Sequence, residues 1–334
     1  MVESGFATNV EGNLVRILSG IQPSGKLHLG NYFGMMRPAL ELQEQGQAYY
    51  FIANYHALTT VTDGEALREG TRDVALDFLA CGLDPEKTVF FRQSDVPQVT
   101  ELTWLLSTVT PMGLLERCHS YKDKLAKGIA ANHALFAYPV LMAADILAVQ
   151  SNVVPVGRDQ KQHVEVTRDI AIKFNHLHGE VFTVPAPRIR DEVAVVPGID
   201  GQKMSKSYDN HILIFGDPKD TRKRIMRIVT DSTPLEAPKD PETCTVFALY
   251  RLLASDTERE ELAARYRAGG FGYGEAKKLL ADKVETYFAP FREKRDALKE
   301  DPEFVDAVLR RGAERAREEA GRTLRAARRA MGLD

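Results

Sequence analysis

Three features of this chain predict an α/β protein with a helical C-terminal part. Up to Ser207, short runs of branched and aromatic apolar residues alternate with longer stretches of helical periodicity. Such alternation builds a parallel sheet with helices on both faces. After Ser207 the helical periodicity continues to Leu333 with almost no strand signal. Turn residues punctuate the apolar runs, as at Ser19-Gly20 and Gly82. The expected architecture is a Rossmann-like, doubly wound parallel sheet over 14–207, followed by an all-helical domain over 208–334.

The elements follow in order. Leu14–Leu18 is a branched apolar run that stops at Ser19-Gly20, and reads as a buried first strand. A helix pattern spans Leu29–Gln45, and Ala48–Ala53 is a second strand. Asp63 caps a helix running to Cys81, with Gly82 just beyond its end. Thr88–Phe91 is a third strand, and Glu101–Val149 is a long, mostly helical insert. Asn152–Val156 is a fourth strand, followed by a helix over Asp159–Lys173. Asp217-Pro218 has the form of a helix start, a capping carboxylate before proline at the first helical position. The glycines of Gly269-Gly270-Phe271-Gly272-Tyr273-Gly274 break the helical region with a turn. The last helix, Phe304–Met331, repeats apolar residues at Val305, Val308, Leu309, Leu324 and Met331, so it needs a partner surface, expected on the sheet domain.

Bulk properties narrow the function. The 334 residues carry a formal net charge of −3, with 27% charged and 44% hydrophobic residues. Any nucleic-acid contact must then come from local basic patches. No apolar run approaches the roughly 20 residues of a membrane span. Met1–Asn13 has neither the basic start nor the apolar core of a secretory signal, and reads as a flexible N-terminal extension. Cys81, Cys118 and Cys244 lie too far apart for zinc-type spacing or a disulfide framework, which suits a reducing, cytoplasmic setting.

Two short strings carry the chemistry. The first, Gln22-Pro23-Ser24-Gly25-Lys26-Leu27-His28-Leu29-Gly30-Asn31, follows the first strand. Ligands of doubly wound folds sit at the carboxyl ends of strands, and helix N-terminal amides favour phosphate. Gly30 removes a side chain there, so a nucleotide base or ribose can approach. His28 and Asn31 can each donate to a phosphate oxygen. The second string is Lys203-Met204-Ser205-Lys206-Ser207. Two lysines and two serines at this spacing can surround a pyrophosphate with charge and hydroxyl donors. In this order the pair resembles the two signatures of the class I aminoacyl-tRNA synthetases. The second signature matches at every position; the first has Asn31 where the family form ends in His. The resemblance makes His28, Asn31, Lys203 and Lys206 catalytic. It adds Lys124, near Lys122, as a mobile pyrophosphate-binding lysine. An exposed helix face accounts equally well for both of these lysines.

A second pair of segments narrows the substrate. Tyr138-Pro139-Val140-Leu141-Met142-Ala143-Ala144-Asp145 and Val153-Val154-Pro155-Val156-Gly157-Arg158-Asp159-Gln160-Lys161-Gln162-His163 resemble the bacterial tryptophanyl-tRNA synthetases. Met142 and Asp145 are three apart and share a helical face. An ionised Asp only accepts hydrogen bonds and an indole N–H only donates, so the two match. The resemblance implies that Asp145 reads the indole nitrogen while Leu18, Met142, Val154 and Val156 border the ring. Tyr138 and Gln160 would hold the substrate amino group, with Gln22 and His56 close by. The ATP site would comprise Gln22, Pro23, Ser24, His28, Gly30, Asn31, Gly157, Asp159, Gln160, Lys203, Met204, Ser205 and Lys206.

The implied reaction is ATP-dependent activation of L-tryptophan to its adenylate, then transfer to tRNA(Trp), with Mg2+ accompanying ATP and no dedicated metal site. The tyrosyl enzymes are the nearest alternative. Ala143 stands where they usually carry Gln, and a phenol needs both a donor and an acceptor around its oxygen. A tryptophan-sensing or partner-binding paralogue is the other reading. The resemblance further implies a homodimer with its interface in the insert and an anticodon-binding helical domain. Arg222, Lys223, Arg224 and Arg227, and then Arg322, Arg325, Arg328 and Arg329, are basic clusters that could meet RNA or simply face solvent. Leu18, Asn54, Arg158 and the long N-terminal extension depart from the family pattern.

Overall fold

The computed structural model describes residues 15–23, 25–118, 122, 132–157, 160–189 and 196–334. The 1–13 extension, Ser24, Lys124, Arg158 and Asp159 lie outside the described residues, as does most of the middle of the helical insert. The chain forms two compact units that interleave rather than divide at residue 207. One comprises residues up to 25, 39–190 and 301–334; the other comprises 26–38 and 191–300.

The first unit is built on five parallel strands in the order β3-β2-β1-β4-β5. They are β1 Arg16–Ile21, β2 Gln47–Ile52, β3 Thr88–Arg92, β4 Val153–Val156 and β5 Ala186–Ile189. The strand order reverses between β1 and β4, the kind of switch point where doubly wound sheets bind ligands. β1 pairs with β2 over its whole length, but with β4 through Ile17 opposite Val153. β5 was not expected from the sequence. Two prolines, Pro185 and Pro187, argue against a strand there, yet an edge strand tolerates them because one side needs no ladder.

Helices cover the sheet. Asp63 caps Gly64–Ala80 by accepting from the Glu65 N–H at 2.9 Å. Gly70 on this helix lets it abut the loop after β1, since a Cβ there would lie 2.8 Å from the Pro23 carbonyl oxygen. Gln98–Ser107, His133–Ala148 and Lys161–His178 complete the central layer. The helix Pro302–Ala330 lies against β3 along a face of Val305, Val308, Leu309 and several alanines. Its closest approach is at Gly312, where a Cβ would stand 1.8 Å from the Phe90 carbonyl oxygen. Gly312→Ala is therefore expected to lower the unfolding free energy by about 3 kcal/mol, the upper end of overpacking costs. Chemical denaturation measures this, and an unchanged midpoint would show that helix and strand are not in close register.

Glu319 on the same helix is buried, and Arg16 of β1 reaches it at 2.6 Å. Burial opposes its charge, but hydrogen bonds from Arg16 and Arg322 outweigh burial and hold the carboxyl below the usual range. Arg322 thus serves the fold. Arg328 pairs with Glu101 and Arg329 with Asp334, so three of the four C-terminal arginines already have acidic partners.

The second unit is mainly helical: Pro218–Met226, Thr245–Tyr250, Asp256–Ala268 and Tyr273–Glu300. Asp217 caps the first of these as expected, accepting from the Lys219 and Asp220 N–H groups. Gly269 and Gly270 both take φ of 73°, which forms the expected turn. The 26–38 segment joins this unit through aromatic packing. Tyr32 stacks edge-on against Phe288 at 5.1 Å and shares a hydrogen bond with Tyr287 at 3.1 Å. Around it the expected first helix runs over Leu29–Leu42, but with a π-helical middle at Tyr32–Met36.

Candidate active site

Each unit contains one cluster of the expected residues. In the second unit His28 is buried and caps the short turn Leu29–Asn31. The Asn31 N–H donates to His28 Nδ1 at 3.3 Å, and the His28 N–H donates to Asn31 Oδ1 at 3.1 Å. This reciprocal pair fixes the tautomer: Nδ1 accepts, so Nε2 carries the proton. His28 Nε2–H is a neutral donor, and the amide NH2 of Asn31 is left to donate as well. Burial first, then the charges of Lys206 and His211, push the His28 pKa down to about 4. The imidazole is thus neutral at physiological pH.

Gly30 also has a local use. Its missing side chain makes room for the His28 ring and for Met204, whose Sδ accepts from the Gly30 N–H at 3.3 Å. Met204 is buried and anchors the lysine motif, and Lys206 begins a short 3-10 turn, Lys206–Tyr208. Ser205 caps that turn through its hydroxyl.

Asn210, which carries no signal in the sequence, organises the whole loop. Its Oδ1 accepts from the Ser205 N–H at 2.7 Å, and its amide donates to Asp200 and to the Lys203 carbonyl. Asn210 is 1% exposed, and Gly198 leaves room for it, since a Cβ there would lie 2.4 Å from the Asn210 amide. Arg224 braces the end of the loop, pairing with Asp209 and donating to the Asp209 and His211 carbonyls. Three of the four residues of the first basic cluster have acidic partners within the protein. Arg222 pairs with Asp282 at 2.7 Å and Lys223 with Asp220 at 3.4 Å.

In the first unit the cluster centres on Asp145, which is 5% exposed on the helix His133–Ala148. His56 Nε2 lies 2.9 Å from Asp145 Oδ2, and the Gln93 amide donates to both carboxylate oxygens at 2.9 Å. Gln93 is fully buried just beyond β3 and is silent in the sequence, because an amide in a polar loop gives no pattern. Its own carbonyl accepts from the Tyr55 and His56 N–H groups, which holds the donor pair in place. His56 Nε2 must carry the proton to serve a carboxylate acceptor.

The remaining expected residues surround this centre. Tyr138 hydrogen-bonds His163 and packs edge-on to His56, with ring centroids 6.3 Å apart. Leu18 and Val154 are buried in the central core, and Met142 and Val156 pack against it partly exposed. Gln22 and Gly157 are exposed, Pro23 is buried and Gln160 is half-buried. His56 and Tyr138 also wall a cleft of about 330 Å³, together with Tyr55, Thr100, Thr103 and Leu141.

The family model for class I tRNA synthetases of the tryptophan and tyrosine type matches residues 11–289. The chain belongs to that family. Among curated relatives, the tryptophan–tRNA ligase of Rhodopirellula baltica is 58% identical over 96% of this chain and 100% of its own length. That of Fusobacterium nucleatum is 53% identical, over 95% of this chain and 98% of its own. The crystal structure of the Campylobacter jejuni tryptophanyl-tRNA synthetase, complexed with ADP and tryptophan, superposes with a TM-score of 0.91. It is 52% identical and covers 96% of this chain and 100% of its own. Tryptophan–tRNA ligase is the activity these relatives share, and it is the activity of this synthetase. Among the described residues no helix is long and apolar enough to cross a membrane.

Proposed function

We propose that the two clusters divide the ligase reaction. The Asp145 cluster selects tryptophan, and the cluster of His28, Asn31, Lys203 and Lys206 handles the phosphates of ATP. The observation that carries this reading is the state of Asp145. Among the described residues its Oδ1 accepts one hydrogen bond, from Gln93, and so keeps a lone pair for an indole N–H. Leu18, Met142, Val154 and Val156 supply the apolar border. Tyr138, Gln160 and Gln22 lie on the segments that would meet the substrate amino group, while Ser24, Lys124 and Asp159 keep the roles implied by resemblance.

In the first step a carboxylate oxygen of tryptophan attacks the α-phosphorus of ATP. The bond to the bridging oxygen of pyrophosphate breaks, leaving tryptophanyl-adenylate. The terminal ribose hydroxyl of tRNA(Trp) then attacks the carbonyl carbon, and AMP departs. No enzyme nucleophile takes part. The protein positions reactants and stabilises phosphate charge. His28 offers a fixed neutral donor; Lys203 and Lys206 offer charge. Mg2+ enters on ATP as part of the substrate. Amino-acid-dependent pyrophosphate exchange with each of the twenty amino acids tests the reading. Tryptophan alone should support exchange, and equal exchange with tyrosine would overturn it.

The synthetase is further proposed to act in the cytoplasm as a homodimer, with its interface in the insert. Trp104 and Met112 support this, being 72% and 63% exposed on neighbouring helices. A second copy would remove this apolar area from water. Replacing Trp104 with Arg and Met112 with Lys should convert a dimer to a monomer in sedimentation velocity. A wild-type monomer, or an unchanged dimer in the variant, would refute the proposed interface.

A further inference from the structure

We propose that His211 is a second imidazole of the nucleotide-phosphate site, one that takes up a proton when the phosphates of ATP settle beside His28 and Lys206. This rests on the assignment of that cluster to ATP. His211 lies outside both signature strings, and backbone geometry brings it to the site. Asp209, at φ 48°, ends the Lys206–Tyr208 turn and redirects the chain. The following segment runs antiparallel beside the His28 turn: the Leu29 N–H donates to the Ile212 carbonyl at 2.9 Å, and the Ile214 N–H to the Leu27 carbonyl at 3.2 Å. Arg224 clamps the segment from the other side through the carbonyls of Asp209 and His211. The His211 ring therefore stands opposite the His28 ring, with centroids 5.8 Å apart and planes at 45°.

The two imidazoles differ in how they are held. His28 has its tautomer fixed by Asn31. His211 Nδ1 is buried and has no hydrogen-bond partner among the described residues. Nothing in the described protein pins its proton to one nitrogen, so the ring can change protonation without breaking a bond.

The charges around it set when that happens. Among the described residues, His28, Lys206 and Arg224 face His211 with positive or potentially positive charge, and Asp209 is the facing carboxylate, already paired with Arg224. Burial first, then Arg224 and Lys206, lower the His211 pKa, against an upward pull from Asp209. In the free enzyme the ring is thus neutral near pH 7. A bound polyphosphate supplies the missing negative charge, reverses the repulsion and raises the pKa. Binding and protonation are then linked: ATP takes up a proton, and its affinity rises as pH falls.

Isothermal titration of ATP, added without tryptophan so that no adenylate forms, tests this at about pH 6 and about pH 8. Two buffers of different ionisation heat count the protons. Wild type should take up more protons per ATP than His211→Asn. Its Kd should also tighten on acidification by roughly tenfold more than that of the variant. The protonation of ATP itself is common to both proteins and cancels. His211→Gln repeats the comparison should His211→Asn fail to fold. Equal proton uptake and equal pH dependence in wild type and variant would overturn the role of His211. Lys206→Ala is titrated alongside. If it both binds ATP and forms adenylate like wild type, the phosphate assignment of the cluster fails as a whole; if it is defective in either while the His211 comparison is null, only the present inference falls.

Discussion

Alanine in place of Lys206 is expected to slow tryptophanyl-adenylate formation by about 10²–10³-fold while leaving the Kd of tryptophan unchanged. The lysine stands on a turn that Ser205 caps and Asn210 ties down, so its position is set before ATP arrives. Its charge already reaches His28, whose pKa it helps to lower. A cation placed this way stabilises negative charge that grows on pyrophosphate as the bond to the α-phosphorus breaks. Because that charge is larger in the transition state than in bound ATP, its loss should fall on kcat more than on binding. Single-turnover adenylation and equilibrium tryptophan binding separate the two effects. A variant defective chiefly in tryptophan Kd would mean that the loop does not serve phosphate chemistry.

Asp145→Ala is expected to lower kcat/KM for tryptophan by at least 10- to 100-fold, the equivalent of roughly 1.5–3 kcal/mol for hydrogen bonds to a charged group. The effect has two sources. The indole loses its acceptor, and His56 Nε2 and the Gln93 amide lose theirs in a buried setting. Gln93→Leu separates the sources. It keeps the carboxylate but removes the amide that orients it, so its defect should be smaller and lie in KM for tryptophan rather than for ATP. An Asp145→Ala enzyme with unchanged kcat/KM would end the assignment of Asp145 as the indole reader.

Legibility in the sequence followed the kind of interaction involved. The alternation of strands and helices is a matter of periodic burial, so β1 to β4 and the caps at Asp63 and Asp217 could be read directly, with strand ends shifted by at most three residues. β5 was hidden because Pro187 within it and Pro185 just before it mimic a loop. The signature residues His28, Asn31, Lys203 and Lys206 were visible because their order and spacing are specific. Gln93 and Asn210 were not, since each works through buried amide hydrogen bonds to residues far along the chain, and a single Asn or Gln carries no periodicity. The arginine clusters were visible, but not their partners. Their spacing allows either RNA or solvent, and it does not show that Arg222, Arg224 and Arg328 pair with carboxylates 15 or more residues away while Arg322 pairs within its own helix.

The close seat of Gly312 on β3 has a consequence for biosynthesis. A ribosome makes β3 more than two hundred residues before the helix that covers it, since Phe90 and Gly312 are that far apart in the chain. Throughout that interval the outer face of the strand is bare, and the nascent sheet is an aggregation risk. The first unit cannot close until its last segment has emerged, although its strands are among the earliest residues translated. Translation order and folding order therefore run against each other. A chain released early would leave behind an open sheet in need of a chaperone, rather than a shortened enzyme.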